Sequence, residues 1–116
     1  MENKNNKRIK SENYFHTLPD KLNCAQAILK GFQIEFNISD EEIEEYRALG
    51  GGRTQSGICG ALYSAERLLS EAGKPGITKE FKARVGEIHC LEIKTLKFPC
   101  IECVRIADEL IEKQMK

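Results

Sequence analysis

One stretch constrains this chain more than any other: Gly50-Gly51-Gly52-Arg53-Thr54-Gln55-Ser56-Gly57-Ile58-Cys59-Gly60-Ala61-Leu62-Tyr63-Ser64-Ala65. Four glycines ahead of one cysteine let the backbone bend and approach closely where a side chain would collide. The small residues after Cys59 let a helix pack at short range. Cys59 is therefore expected where a glycine loop becomes a helix. There the first N–H groups lack partners inside the helix and the macrodipole is positive, so a thiolate, a bound anion or a cluster sulfur is favoured. Taken alone, the stretch reads more readily as a tight turn leading into a close-packed core helix. The other cysteines shift the balance toward chemistry.

With 116 residues, the chain has the length of one domain with a single core. Its 18 basic and 18 acidic residues cancel, so no overall field points to nucleic acid or to an anionic membrane. A basic cluster at the start, Lys4, Lys7, Arg8 and Lys10, lies among asparagines without apolar periodicity. Residues 1–11 are expected to form a solvated, flexible basic tail, and residues 12–116 the cysteine-containing helical domain. No apolar run has the length of a membrane span, and no apolar segment follows the basic start as in a signal peptide. The expected location is the cytoplasm.

In a reducing compartment the five cysteines, Cys24, Cys59, Cys90, Cys100 and Cys103, point to metal ligation or cycling thiols rather than to a permanent disulfide framework. A lone free cysteine is often just a small buried hydrophobe. Five in a chain this short, two of them in a Cys-x-x-Cys, resist that explanation as a set.

Helical periodicity organises most of the remainder. Glu12 to Leu18 reads as a short helix or irregular lead-in, closed by Pro19, which also starts the next segment. Leu22, Ala25, Ile28, Leu29 and Phe32 space a helix from Asp20 to about Phe32. Cys24 falls at the border of its apolar face. Ser39 or Asp40 caps an acidic helix to Leu49, with Glu42 completing a capping box and Gly50 ending it in the left-handed conformation. Its carboxylates lack the ligand spacing of a calcium loop and read as a solvated face.

The central helix is expected over 57–72, with Ile58, Ala61, Leu62, Ala65, Leu68 and Leu69 on its core face and Cys59 beside it. Gly73, Pro75 and Gly76 stop it. Thr78 caps another helix anchored by Phe81 and Val85, which Gly86 bends or ends. His89 and Cys90 then occupy a turn or short helix. Pro99 opens the last helix, which carries Val104, Ala107, Leu110, Ile111 and Met115, and the first-turn position of Cys100 predicts a lowered thiol pKa. No strand of useful length appears, and the expected architecture is an all-α compact bundle of about five helices. Cys103 is followed by Val104 rather than histidine, which excludes a c-type haem site, and no strand–helix–strand pattern supports a thioredoxin fold.

Four separated cysteines in order, around a glycine-rich centre, carry a resemblance. Asn23-Cys24-Ala25-Gln26-Ala27-Ile28-Leu29, then Gly57-Ile58-Cys59-Gly60-Ala61, then Phe81, Gly86 and Cys90-Leu91-Glu92, then Cys100, Val104, Ala107 and Glu109-Leu110, together resemble the C_GCAxxG_C_C family over about residues 20–112. Members of that family are regarded as redox-active proteins, with related modules in iron–sulfur and cytochrome-like contexts. The resemblance carries over Cys24, Cys59, Cys90 and Cys100. Two departures stand out: Ser64 replaces a glycine, and Cys103 sits where the pattern is apolar.

Two classes of function follow. In the first, Cys24, Cys59, Cys90 and Cys100 bind metal as an iron–sulfur cluster, or pairs of cysteines cycle through disulfides in electron or thiol transfer. Cys100 and Cys103 are then the catalytic pair, Gly57 and Gly60 the cofactor-binding residues that permit close approach, and the chain an oxidoreductase or electron-transfer component. In the second, the same thiolates close a zinc site in a non-catalytic interaction module, with His89 as a substitute ligand. The expected partner is a redox protein of unknown identity, with no nucleic acid and no membrane. Met115, Tyr63 or Phe36, if exposed, would offer a surface for a homodimer. With His16 and His89 as the only histidines, no triad of a hydrolase is apparent.

Overall fold

Helices account for the regular structure of the described residues, as the periodicity predicts. The computed structural model describes residues 8–17, 21–50 and 53–115. Among these, seven α-helical segments follow in order: α1 (Cys24–Gly31), α2 (Gln33–Phe36), α3 (Asp40–Glu45), α4 (Gly60–Glu71), α5 (Thr78–Val85), α6 (Cys90–Thr95) and α7 (Cys100–Met115). Single 3-10 turns at Ser11–Asn13, Tyr46–Leu49 and Gln55–Gly57 complete the set, and no strand occurs among the described residues. The chain is an all-α single domain.

The centre of the molecule is the mutual packing of α1, α4 and α7, with α5 laid against α7 and the edge of α4. Ile28 and Leu29 of α1, Leu62, Leu68 and Leu69 of α4, Phe81 of α5, and Val104 and Ile111 of α7 are fully buried. Each such side chain contributes on the order of 1.5–3 kcal/mol by leaving water. The helical spacing read from the sequence thus lands on the core.

The helix starts differ in detail. Helix α1 begins at Cys24, not near Asp20, because Lys21 adopts a positive φ of 48° and Leu22 makes an isolated parallel bridge to Phe15. Its start is set by a reciprocal capping box: Asn23 Oδ1 accepts from the Gln26 N–H at 2.8 Å, and Gln26 Oε1 accepts from the Asn23 N–H at 3.0 Å. Asn23 also donates from Nδ2 to the carbonyls of Tyr46 and Arg47, so one side chain closes one helix and opens another. The Ser39–Glu42 capping box of α3 forms as expected. Gly50, by contrast, is extended (φ −70°, ψ 162°) rather than left-handed. A side chain there would meet the amide of Asn23 at 2.9 Å, and that close approach is what the glycine permits.

Helix α4 starts at Gly60 with Cys59 as its N-cap, and the preceding turn uses positive φ at Ser56 (71°) and Gly57 (73°). Ile58, expected on the core face, lies before the helix and is half-buried. Ile77, not Thr78, caps α5; the Thr78 hydroxyl instead donates to Glu66 of α4. Gly86 ends α5 with φ 106°. The expectations for Lys4 and Lys7, for Leu18, Pro19 and Asp20, and for Gly51 and Gly52 lie outside the described residues.

The basic segment departs most from its sequence reading. Arg8, expected to be solvated, reaches Asp108 of α7 through two hydrogen bonds of 2.9 and 2.7 Å, pairs with Glu112 at 2.7 Å, and lies 3.9 Å over the ring of Phe32. Its side chain is 8% exposed and that of Asp108 2%. Lys10 pairs with Glu112 in the same group. Burial pushes the Asp108 carboxyl up, but hydrogen bonds from Arg8 and Ser11 reverse this and hold it below the usual carboxylate range. A compensated charge pair, rather than solvent, determines where residues 8–11 lie.

Candidate functional site

Four helix starts bear cysteines. Cys24 is the first residue of α1, Cys59 the N-cap of α4, Cys90 the first residue of α6 and Cys100 the first residue of α7, while Cys103 lies in the first turn of α7. Sulfur at such positions meets backbone N–H groups that have no helical partner. All five thiols are free; Cys100 is half-buried and the other four are buried.

The packing of α1, α4 and α7 gathers them. Cys24 hydrogen-bonds through its thiol to Cys59, and Cys59 to Cys103. Cys100 lies within electrostatic reach of Cys24 and Cys90. Although residues three apart share a helix side, Cys103 influences Cys59, while Cys100 feels Cys24 and Cys90. The local Cys-x-x-Cys is divided between two ends of the group.

Two backbone features hold the sulfurs in place. The Cys59 N–H donates to the Ile88 carbonyl at 2.7 Å, next to an isolated antiparallel bridge between Ile58 and His89. That contact fastens the turn before α4 to the turn before α6, and so sets Cys90 beside the group. Gly60 does the same for Cys24: a Cβ there would stand 2.7 Å from the Cys24 sulfur and 3.1 Å from the Ala25 Cβ. Ser64, one turn on, is fully buried and donates its hydroxyl to the Ala25 carbonyl at 2.8 Å, joining α4 to α1. Gly57 supplies the left-handed turn before Cys59.

The electrostatics keep protons on sulfur. The hydrogen bond that Cys24 donates to Cys59 pushes the Cys24 thiol far above its ordinary range, burial adds to this, and the N–H groups of Ala61 and Ala25 oppose it. Cys59, donating in turn to Cys103 and buried, is pushed up to about 12, against the opposing effects of Cys24 and the Leu62 N–H. Cys100, for which the helix start predicted a lowered pKa, is instead raised. Burial is the main cause, the neighbouring Cys24 and Cys90 add to it, and Lys94 opposes them. Desolvation and like-charge neighbours outweigh the partial positive charge of the helix start.

Thiolate sulfur has the chemistry for zinc or for an iron–sulfur cluster. Among the described residues, however, no three Cys, His, Asp or Glu side chains are arranged to hold one ion. His89, half-buried, enters the site as the N-cap of α6 through its backbone. The thiols influence one another in pairs, Cys24 with Cys59 and Cys59 with Cys103, and paired free thiols are the reactants of thiol and disulfide exchange. No signal in the sequence singled out Ile88, whose carbonyl fixes Cys59, or Arg8 and Asp108, which clamp the far end of α7. Gln26, fully buried and donating to the Ile43 carbonyl at 2.9 Å, was legible only as the third residue of a capping box. No protein-family model, no curated protein and no solved structure matches the chain.

Proposed function

We propose that this chain is a redox protein working by dithiol–disulfide exchange in a reducing compartment such as the cytoplasm, with another thiol protein as partner. The observation that carries the reading is the pairing of Cys24 with Cys59 and of Cys59 with Cys103, three buried thiols at the starts of three helices that pack on one another. Random burial of small hydrophobes would scatter them over the core. The resemblance to the C_GCAxxG_C_C family supports the same class of chemistry.

Exchange needs an attacking thiolate, a disulfide and a leaving thiolate. Cys100 is the thiol with access to solvent, and the buried set supplies the second sulfur that closes an internal disulfide. Two protein thiols become one disulfide while a partner disulfide becomes two thiols, so electrons and protons balance without a further reagent. The raised thiol pKa values make the reaction slow near neutrality and faster in alkali, because only the thiolate attacks.

The test is a redox titration of the full chain in glutathione buffers, with thiols counted by alkylation and mass spectrometry, beside metal analysis of anaerobically purified protein. A reversible loss of two or more thiols at a defined potential is expected. Five thiols unchanged across the range would overturn the reading. Stoichiometric iron with charge-transfer absorption, or stoichiometric zinc, would replace it with a cluster or a zinc-stabilised module.

A further inference from the structure

Exposed apolar side chains collect at the corner between α6 and α7. Leu91 is 69% exposed, Leu96 53% and Ile101 43%, so three of the six exposed large apolar residues among those described fall within positions 91–101. The same stretch holds Cys100, the thiol that is half-buried rather than buried. Leucine and isoleucine facing water add little to the core, and grouped exposed apolar surface with a polar rim marks a contact surface.

The turn between the two helices assembles this face. The Lys97 N–H donates to the Lys94 carbonyl at 2.9 Å and the Phe98 N–H to the Ile93 carbonyl at 3.3 Å, with Lys97 at φ 61°. That tight reversal ends α6, and Pro99 opens α7 at once, its carbonyl accepting from the Cys103 N–H at 3.3 Å. Cys100 is thereby carried back beside α6. Leu91 and Lys94, three residues apart, share one side of α6, whereas Glu92, two residues from Lys94, does not face it. The field of Lys94 at the Cys100 sulfur agrees with this placement. Leu96 stands at the edge, where it would meet a Cβ on Gly86 at 3.1 Å. On α7 the nearest carboxylate, Glu102, is held by Arg105 at 2.7 Å. Lys94 and Lys97 are exposed and form no ion pair among the described residues. The rim left open is cationic.

Resting on the reading of the site as a dithiol–disulfide centre, we infer that the α6–α7 corner is the docking face for its disulfide substrate, a partner segment whose disulfide is flanked by apolar side chains and carboxylates. Leu91 and Ile101 receive the apolar side chains, Lys94 and Lys97 the carboxylates, and the disulfide is brought onto Cys100. The Cys100 thiolate attacks one partner sulfur; the partner S–S bond breaks as the new one forms, and the departing partner thiolate takes up a proton. Apolar contact supplies affinity, and the cationic rim governs encounter and orientation. A second copy of the chain is the poorer occupant, because a two-fold contact would set these lysines against their own counterparts.

The test uses the full chain and two synthetic peptides, each closed by one disulfide between leucines and differing only in carrying glutamates or lysines. Bis(2-hydroxyethyl) disulfide serves as the small uncharged probe. Loss of the Cys100 thiol is followed by acid quench, alkylation and mass spectrometry. At low salt the glutamate peptide is expected to react about tenfold faster than the lysine peptide, a preference that shrinks as salt is added. Lys94→Glu should reverse it. In Leu91→Ser/Ile101→Ser, the ratio of the glutamate-peptide rate to the small-probe rate should fall about fivefold; Ile34→Ser, at an exposed apolar residue of α2, should leave that ratio at the wild-type value. Equal rates for the two peptides, or an equal fall in Ile34→Ser, would overturn the docking face and leave the dithiol reading intact. A dimer linked through Cys100 of two copies as the main product would also overturn it, by assigning the face to the chain itself. Failure of every probe to oxidise wild type would overturn both.

Discussion

At Cys59 every polar group is committed. Its N–H donates to the Ile88 carbonyl, its carbonyl accepts from the Tyr63 N–H at 2.9 Å, and its thiol lies between those of Cys24 and Cys103. The thiol pKa, pushed up to about 12 from an ordinary value of 9.0, has a consequence for stability. A group whose folded pKa is raised contributes stability that is complete below the unfolded pKa and is lost as pH rises through the folded one. Denaturation midpoints should therefore fall between about pH 9 and pH 12, and the fall should be smaller in Cys59→Ala. A midpoint constant over that range, measured in urea, would contradict the buried, protonated state. Gly60→Ala tests the close approach from the other side. Alanine is the better helix former by about 1 kcal/mol, but its Cβ would stand 2.7 Å from the Cys24 sulfur. Overpacking of that kind costs about 1–3 kcal/mol, so the expected result is a net loss of stability with faster alkylation of Cys24. A more stable variant with unchanged thiol reactivity would mean that α1 and α4 can separate freely.

Among the elements, the pairing of α1 with α4 positions the site most directly. Ala25, Gly60, Ala61 and Ala65 are small and buried, and Ser64 adds a hydrogen bond between the helices where a glycine would add only room. Ser64→Ala should leave the Ala25 carbonyl without that side-chain partner and cost about 1–3 kcal/mol, the usual range for an orphaned buried polar group. Ser64→Gly should cost at least as much, since glycine also weakens the helix interior. Thermal denaturation of both variants decides the matter; two neutral substitutions would show that shape alone joins these helices. The capping boxes at Asn23 and Ser39 account for where α1 and α3 begin. Cys100 shows the limit of such local reasoning. A first-turn position stabilises a thiolate by a fixed local field, yet burial and neighbouring sulfurs act more strongly and in the opposite sense.

For the whole molecule, the Arg8–Asp108 pair ties the start of the described chain to the last helix, and the Phe32 ring beneath Arg8 connects both to the end of α1. Removing one partner of a buried pair leaves an uncompensated charge and costs about 3–5 kcal/mol. Arg8→Met should destabilise the protein by that order, with the loss measured by urea denaturation, while Lys10→Met, at a more exposed pair, should cost less than about 1 kcal/mol. The pH profile provides a second reading. Asp108, held below the usual carboxylate range, contributes stability above its unfolded pKa that is lost as pH falls through the folded value. In Arg8→Met only the hydrogen bonds from Ser11 still offset burial, so acid should destabilise less through this group. Equal losses in the two variants would return residues 8–11 to the role of a solvated tail.

The sequence by itself determined the helices and their inward faces. Leu62, Leu68 and Leu69, Phe81 and Val85, and Val104, Ala107 and Ile111 were legible because a period near 3.6 residues reports on a face without reference to any neighbour. The Ser39–Glu42 box and the Gly86 stop were legible for the same reason, each being a bargain struck within a few residues of chain. It also marked Cys59 and Cys100 as belonging near helix starts. Only the tertiary structure decided which sulfur meets which, that Cys103 turns to Cys59 and not to Cys100, that Cys100 is raised rather than lowered, and that Arg8 is buried against Asp108. Those outcomes depend on how α1, α4 and α7 cross and on how much water their crossing excludes. Spacing along one helix carries information on neither.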